Sequence, residues 1–274
     1  MIYKKIEIAV DGYKETADLY TYFLDNSIEM HINRKRPVVV ICPGGGYAMT
    51  SDREAEPIAM QYLVRGYHAV ILRYSVEPAR YPLALLQLAK SVAFLRKNAA
   101  EFHIDTNKIV LQGFSAGGHL AANLTTSTSD DVLVAHGYDP DAVRPNGLML
   151  AYPVITSGPL AHRGSFDSLL GERRNDSQAL ESVSIERHID AKTPPVFAWH
   201  TVPDETVPYE NTLMLIDACK KAGVSIEAHL FPQGGHGLSL GTAETAWQGV
   251  NGIEPSIQIW PQLAVSWMRR TFAR

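Results

Sequence analysis

The stretch Gly113-Phe114-Ser115-Ala116-Gly117-Gly118-His119 constrains this chain more than any other. It follows the apolar run Ile109-Val110-Leu111 and leads into an alanine-rich segment with helical character, so a strand passes through a sharp turn directly into a helix. A serine at the apex of such a turn is held in a cramped backbone conformation. The glycines two residues to either side are required because side chains there would collide with the neighbouring strand and helix. The turn lifts the Ser115 hydroxyl above a sheet and sets it at a helix N-terminus, which favours negative charge. The plainer alternative is a glycine-rich turn whose serine only caps the helix.

The rest of the chain alternates strand and helix. Tyr3 to Ala9 and Leu19 to Leu24 have the period-two pattern of half-buried strands, split by the turn-like Asp11-Gly12, and predict an antiparallel pair at the sheet edge. Pro37 to Cys42 is a continuous apolar run, as expected of a strand covered on both faces, and it ends in Pro43-Gly44-Gly45-Gly46-Tyr47. Ser51-x-x-Glu54 reads as a capping box for a helix that begins between Ser51 and Glu56 and carries Pro57 in its first turn. Ala69 to Leu72 is the next buried strand, and a helix entered through Pro82 follows, with Leu85, Leu88, Ala89, Val92, Leu95 and Ala99 on one face. Strands at Ile109 to Leu111, Leu148 to Tyr152, Val196 to His200 and Ile226 to Phe231, with helices at Glu210 to Ala222 and Gln262 to Phe272, complete the pattern. Such β-α-β units give a mostly parallel sheet of about eight strands with helices on both faces. Reactive groups then belong at the carboxyl ends of the strands.

A composition of 46% hydrophobic and 20% charged residues over 274 positions supports one large core, and no repeat or low-complexity linker divides it, so a single domain over residues 1–274 is expected. A net charge of -4, with no basic cluster interleaved with aromatics, argues against nucleic acid or an anionic membrane surface and for a small or neutral substrate. Cys42 and Cys219 sit in apolar surroundings and read as reduced core residues. Met1 to Lys5 runs straight into a strand pattern without the apolar stretch of a secretory signal, and the expected location is cytoplasmic. The oligomeric state is left open, a homodimer included.

A serine hydroxyl becomes an effective nucleophile only with a base, and the base needs a third group to fix its tautomer. With a serine elbow the chain order is serine, acid, histidine. Asp204 lies in the loop after strand Val196 to His200, with Glu205 its close competitor and helix capping its plain alternative. Downstream of it stand only His229, in an alternating strand, and His236, in the flexible loop Gly234-Gly235-His236-Gly237. Elimination points to His236. Backbone N–H groups of Ala116, Gly45 and Gly46 are the expected donors to a tetrahedral oxyanion. Gly44-Gly45-Gly46 lacks the Lys-Ser/Thr of a phosphate loop and the spaced glycines of a dinucleotide turn, and no histidine pairs at metal-ligand spacing, so neither cofactor nor metal is expected. Tyr47, beside the glycines, and Trp247, in the segment Leu238 to Glu254 after the His236 loop, are candidate substrate-binding aromatics, although a core role for Trp247 fits the sequence equally.

From Pro37 to the C-terminus the chain resembles the α/β-hydrolase superfamily, and within it the bacterial acetyl-xylan esterases and sugar-ester hydrolases near the hormone-sensitive-lipase-like esterases. The resemblance rests on Pro43-Gly44-Gly45-Gly46-Tyr47, Ser51-Asp52-Arg53-Glu54-Ala55-Glu56-Pro57, Gly113 to His119, Asp204-Glu205-Thr206-Val207-Pro208 and Gly235-His236-Gly237-Leu238. Pro43 departs from the hormone-sensitive-lipase pattern, which has histidine there. The resemblance implies an α/β-hydrolase fold with Ser115 as nucleophile, Asp204 as acid and His236 as base. It also implies hydrolysis of short acyl esters, above all acetyl esters of sugars or xylo-oligosaccharides, with an amidase or peptidase on the same triad as the alternative. Where many relatives insert a lid, residues 155–194 form a short polar, cap-like insertion with helices expected near Phe166 to Leu170 and Ser177 to Ile189.

Overall fold

A computed structural model describes residues 1–126 and 130–273. In chain order its elements are β1 (Ile2–Ile8), β2 (Ala17–Phe23), β3 (Arg36–Cys42), α1 (Glu56–Leu63), β4 (His68–Arg73), α2 (Leu83–Lys97), β5 (Ile104–Phe114), α3 (Ser115–Thr125), α4 (Asp130–Ala135) and α5 (Pro140–Val143). They continue with β6 (Gly147–Ala151), α6 (Arg163–Leu170), α7 (Ser177–Ser182), β7 (Val196–Thr201), α8 (Glu210–Ala222), β8 (Ile226–Phe231) and α9 (Trp260–Thr271). The strands form one sheet in the order β1-β2-β4-β3-β5-β6-β7-β8. β1 pairs antiparallel with β2 and β2 antiparallel with β4, whereas every later pairing is parallel.

Both faces of the sheet are covered, which is why its central strands are apolar without interruption. Val38, Val40 and Cys42 of β3 face the core under α2, α3 and α8, while Val39 and Ile41 face the opposite core under α1 and α9. The same alternation sends Leu148 and Leu150 of β6 to the first side, and Met149 to the second. Among the described residues no helix is long and apolar enough to cross a membrane.

Several expectations change in detail. Only β1 is an edge strand on the N-terminal side, because β2 lies between β1 and β4. Strand β5 begins at Ile104, since its first residues pair through Ile104 with Arg36 before a register shift. Ser51 makes no side-chain cap, and Glu54, expected to close a capping box, turns inward to the backbone of Gly44. The expected Ser177 to Ile189 helix is split into α7 and a 3-10 turn, Ile185–Arg187. The first crossovers run from β3 outward to β4, the later ones from β5 outward to β6, β7 and β8, so the topological switch lies between β3 and β5. A crevice outside the carboxyl ends of these two strands is where such sheets hold their ligands.

Candidate active site

Ser115 opens α3 with φ 50°, a left-handed conformation that costs a non-glycine residue about 1–3 kcal/mol and persists only where the surroundings over-determine it. They do so here by contact. A Cβ on Gly117 would strike the carbonyl oxygens of Cys42 and Pro43, and one on Gly113 would strike the backbone of Gly117 and Gly118. The elbow is thereby pressed against the end of β3, and the Ser115 hydroxyl projects toward the loop after β8.

There His236 Nε2 lies 2.8 Å from Ser115 Oγ, and His236 Nδ1 lies 2.6 Å from Asp204 Oδ2. Asp204 is buried, and its Oδ1 accepts the N–H groups of Thr206 and Val207, each at 2.9 Å. Glu205 is exposed to solvent. Burial pushes the Asp204 carboxyl up, but hydrogen bonds from His200 and His236, together with the charge of His236 and the Val207 N–H, outweigh it and hold Asp204 well below the ordinary carboxylate range. An ionised Asp204 fixes the proton of His236 on Nδ1, which leaves Nε2 free to accept the Ser115 proton.

The glycine loop after β3 faces the same point. The Gly44 N–H is committed to Glu54 Oε2 at 2.7 Å, whereas those of Gly45 and Gly46 have no protein acceptor among the described residues. The Ala116 N–H belongs to the first turn of α3, where N–H groups lack helical acceptors. Gly45 and Gly46 line the same cleft as Ser115, and Ala116 follows it in the chain, so these three N–H groups are the candidate donors to an oxyanion.

Residues 24–218 match the family model described as BD-FAE. The chain belongs to the BD-FAE family. Its fold is that of the α/β hydrolases. It is similar to endo-1,4-beta-xylanase B of Butyrivibrio fibrisolvens, with 36% identity across 87% of this chain and 37% of that protein. It is also similar to an acetylxylan esterase of Xylanibacter ruminicola, with 28% identity across 74% of this chain and 41% of that protein. The chain therefore spans less than half the length of either. Among solved structures, an acetyl ester-xyloside bifunctional hydrolase from Caldicellulosiruptor lactoaceticus superposes with a TM-score of 0.82 and 31% identity over 97% of this chain and 96% of that one.

In this BD-FAE chain a shell of buried groups supports the three residues, and most of that shell is invisible in the sequence. His200 is fully buried four residues before Asp204, with Nε2 directed at Asp204 Oδ2 (3.1 Å) and Val207 O (2.9 Å) and Nδ1 taking the Thr212 hydroxyl (2.8 Å). Two acceptors at Nε2 place its proton there, so His200 donates to Asp204. Its position in the run His200 to Pro208 was the available signal. Glu54 accepts from the Tyr152 hydroxyl at 2.6 Å as well as from Gly44, and the Tyr152 ring meets His236 edge-on at 5.0 Å. Through Glu54 and Tyr152, the glycine loop and the His236 loop are held by one carboxylate.

A cleft of about 350 Å³ opens over Ser115, with Gly46, Met49, Glu54, His162, Thr206 and Trp247 among its walls. Trp247 lies at the mouth, 55% exposed, with the Arg53 guanidinium 5.9 Å from its ring centre. Tyr47 does not reach the cleft. It is buried under the glycine loop, its hydroxyl 2.8 Å from His119 Nδ1 and its ring against Tyr74, so the expected binding role gives way to a packing one. Its φ of 59° continues the positive-φ turn of Gly45 and Gly46, and its ring also meets His119 edge-on at 5.8 Å. His162 had no signal in the sequence. It comes from residues 155–194, expected as a short polar, cap-like insertion, and only the tertiary fold brings it to the cleft.

Proposed function

We propose that the chain is a serine carboxylesterase that removes short acyl groups, above all acetyl, from sugar hydroxyls such as those of xylo-oligosaccharides. The proposal takes residues 1–274 as a single α/β-hydrolase domain in which residues 155–194 are a short cap-like insertion. The observation that carries it is the hydrogen-bonded line from Asp204 through His236 to Ser115, with unclaimed N–H groups beside the hydroxyl. In this reading His236 Nε2 takes the Ser115 proton as Oγ attacks the ester carbonyl. The oxyanion is met by the N–H groups of Ala116, Gly45 and Gly46, each donor of this kind contributing about 3–4 kcal/mol to the barrier. The tetrahedral intermediate collapses as His236 returns the proton to the departing alcohol. Water, deprotonated by His236, then releases the acid from the acyl-enzyme. The acetyl-ester and xylan-related names of the relatives support the choice of substrate class.

Two measurements test this. A fluorophosphonate should form an adduct that peptide mass mapping assigns to Ser115, and absence of that adduct would overturn the enzyme reading. A panel of acetylated xylo-oligosaccharides, aryl esters of increasing acyl length and aminoacyl anilides should show acetyl esters cleaved best, with kcat/KM falling steeply beyond two to four acyl carbons. Anilides cleaved as fast as acetates would move the chain to the amidases, and octanoyl esters cleaved as fast would move it to the lipases.

A further inference from the structure

The part of the cleft wall that the proposed reaction does not use is His162, and its surroundings are built rather than incidental. Residues 155–162 are fixed from below by Asn211, fully buried, whose Oδ1 accepts the N–H groups of Ile155 (3.0 Å) and Thr156 (3.1 Å) and whose Nδ2 donates to Leu160 O (3.0 Å). The Ser184 hydroxyl accepts the Ser157 N–H at 2.9 Å, and the Thr156 hydroxyl donates to Glu186 at 2.8 Å. His162 ends this stretch. Its Nδ1 lies 2.8 Å from the hydroxyl of Ser165, itself buried, and its ring edge stands over the glycine loop, 3.9 Å from where a Cβ on Gly46 would lie. Such support holds an imidazole in one orientation, as a site that positions substrate requires. Its Nε2 has no protein partner among the described residues.

What could satisfy that nitrogen follows from the chemistry of the ester. An acetyl group offers only a methyl beyond its carbonyl, and the carbonyl oxygen is taken by the backbone donors. The hydrogen-bonding group must then belong to the alcohol. Simple alcohols have none to spare, whereas a polyhydroxy alcohol carries neighbouring hydroxyls that donate and accept and so match either tautomer. Burial, the nearby charge of His236 and an opposing contribution from Asp204 together keep His162 below the ordinary imidazole value, so it meets its ligand uncharged and does not select for acidic sugars. The exposed Thr206 hydroxyl lines the same cleft.

Resting on the esterase reading above, we propose that His162 is a specificity-determining residue whose Nε2 hydrogen-bonds a hydroxyl of the alcohol part and thereby selects acetates of neutral polyols over acetates of plain alcohols. The test compares monoacetylated methyl xyloside with cyclohexyl acetate, ring alcohols with and without neighbouring hydroxyls. The wild-type protein should favour the xyloside acetate, and His162→Phe, which keeps a ring against Gly46 without its nitrogens, should lower the ratio of the two kcat/KM values by about tenfold. His162→Gln, whose amide both donates and accepts, should recover part of the ratio. If His162→Phe does not fold, as judged by its melting transition, His162→Ala makes the same comparison. A ratio within about twofold of wild type, or no preference in the wild-type protein, overturns the role of His162 while ester cleavage leaves the esterase reading standing. No cleavage of either ester together with no Ser115 adduct overturns both.

Discussion

The elbow that carries Ser115 and the loop that carries His236 meet across one hydrogen bond, yet they are held by different physics. The elbow is held by exclusion. Every residue of α3 is buried, and a methyl group at Gly113 or Gly117 has nowhere to go. The His236 loop is held by attachment. A Cβ at Gly235 or Gly237 would meet nothing within 4 Å, and the loop is tied instead by the Thr201 hydroxyl to Gly235 O (3.1 Å), by Arg53 to Gly237 O (2.7 Å) and Thr245 O (2.6 Å), and by the Ser239 N–H to the Tyr152 hydroxyl (3.0 Å). The elbow is closed by its own glycines and by Cys42 and Pro43 at the end of β3. The loop is tied by Thr201, by Tyr152 and by Arg53, the last 184 and 192 positions from the carbonyls it holds.

The largest effects should leave this difference untouched, because they remove chemistry from both regions. Ser115→Ala and His236→Ala should each lower kcat by at least about 10³-fold while the melting temperature stays within about 3 °C of wild type. A variant that kept one-tenth of wild-type turnover on acetyl esters would remove that residue from the mechanism. The next effect separates the regions. Gly117→Ala should destabilise the protein by about 3 kcal/mol or more, since it meets backbone oxygens that cannot turn aside, whereas Gly235→Ala should stay within about 1 kcal/mol. Equal losses in urea titrations of the two variants would break the comparison.

The same difference explains what could be read from the sequence. The alternation of apolar runs and helical faces foretold the sheet, because burial on two faces writes itself into consecutive residues of β3, β4, β6 and β7. Half-exposed β8 and one-sided α8 end where their own period-two and helical patterns end. The elbow was legible for the same reason, its glycines lying within two positions of Ser115. Asp204 and His236 follow from chain order and elimination. The supporting shell was not legible. Glu54 looked like a helix cap because its true partners, Gly44 and Tyr152, are ten and ninety-eight residues away, and its own position allows either role. Tyr47 neighbours Gly46 in sequence, but its burial rests on His119 and Tyr74, partners that proximity to the glycines does not reveal. Helices α4 and α5 leave no clear mark in the sequence because both are short, and short helices carry little periodicity.

Arg53→Ala probes attachment without removing any group of the reacting centre. Its guanidinium donates to two carbonyls of the loop, and it is only partly buried, so water replaces part of what is lost. The expected result is a fall in kcat of about tenfold with a melting temperature lowered by no more than a few degrees, and faster amide exchange confined to residues 235–251. Faster exchange spread into α3 would mean that the two regions are one cooperative unit, and the distinction between exclusion and attachment would lapse.

The smallest effect expected is a difference in how the two regions respond to acid. Beside the elbow, His119 is fully buried, its Nε2 donating to Val183 O at 2.7 Å and its Nδ1 taking the Tyr47 hydroxyl, and burial lowers it to about 4. The unfolded chain binds a proton at this residue near pH 6.5 and the folded chain does not until about pH 4, so stability falls as pH drops between those values. His68, lowered to about 4 by burial, contributes in the same window from another part of the sheet. On the loop side the sign of the shift is the same but the window is not. Asp204 is held below its ordinary value of 3.8, so its contribution is complete above that pH and is lost only as acid approaches its depressed value. Replacing His119 by Gln should therefore flatten the dependence of unfolding free energy on pH between 6.5 and 4, leaving the part due to His68 and His162, whereas Asp204→Asn should leave that slope alone and soften the loss only below pH 4. Denaturant titrations at half-unit pH intervals make the measurement, and a slope that followed Asp204 rather than His119 in the upper window would reverse the assignment.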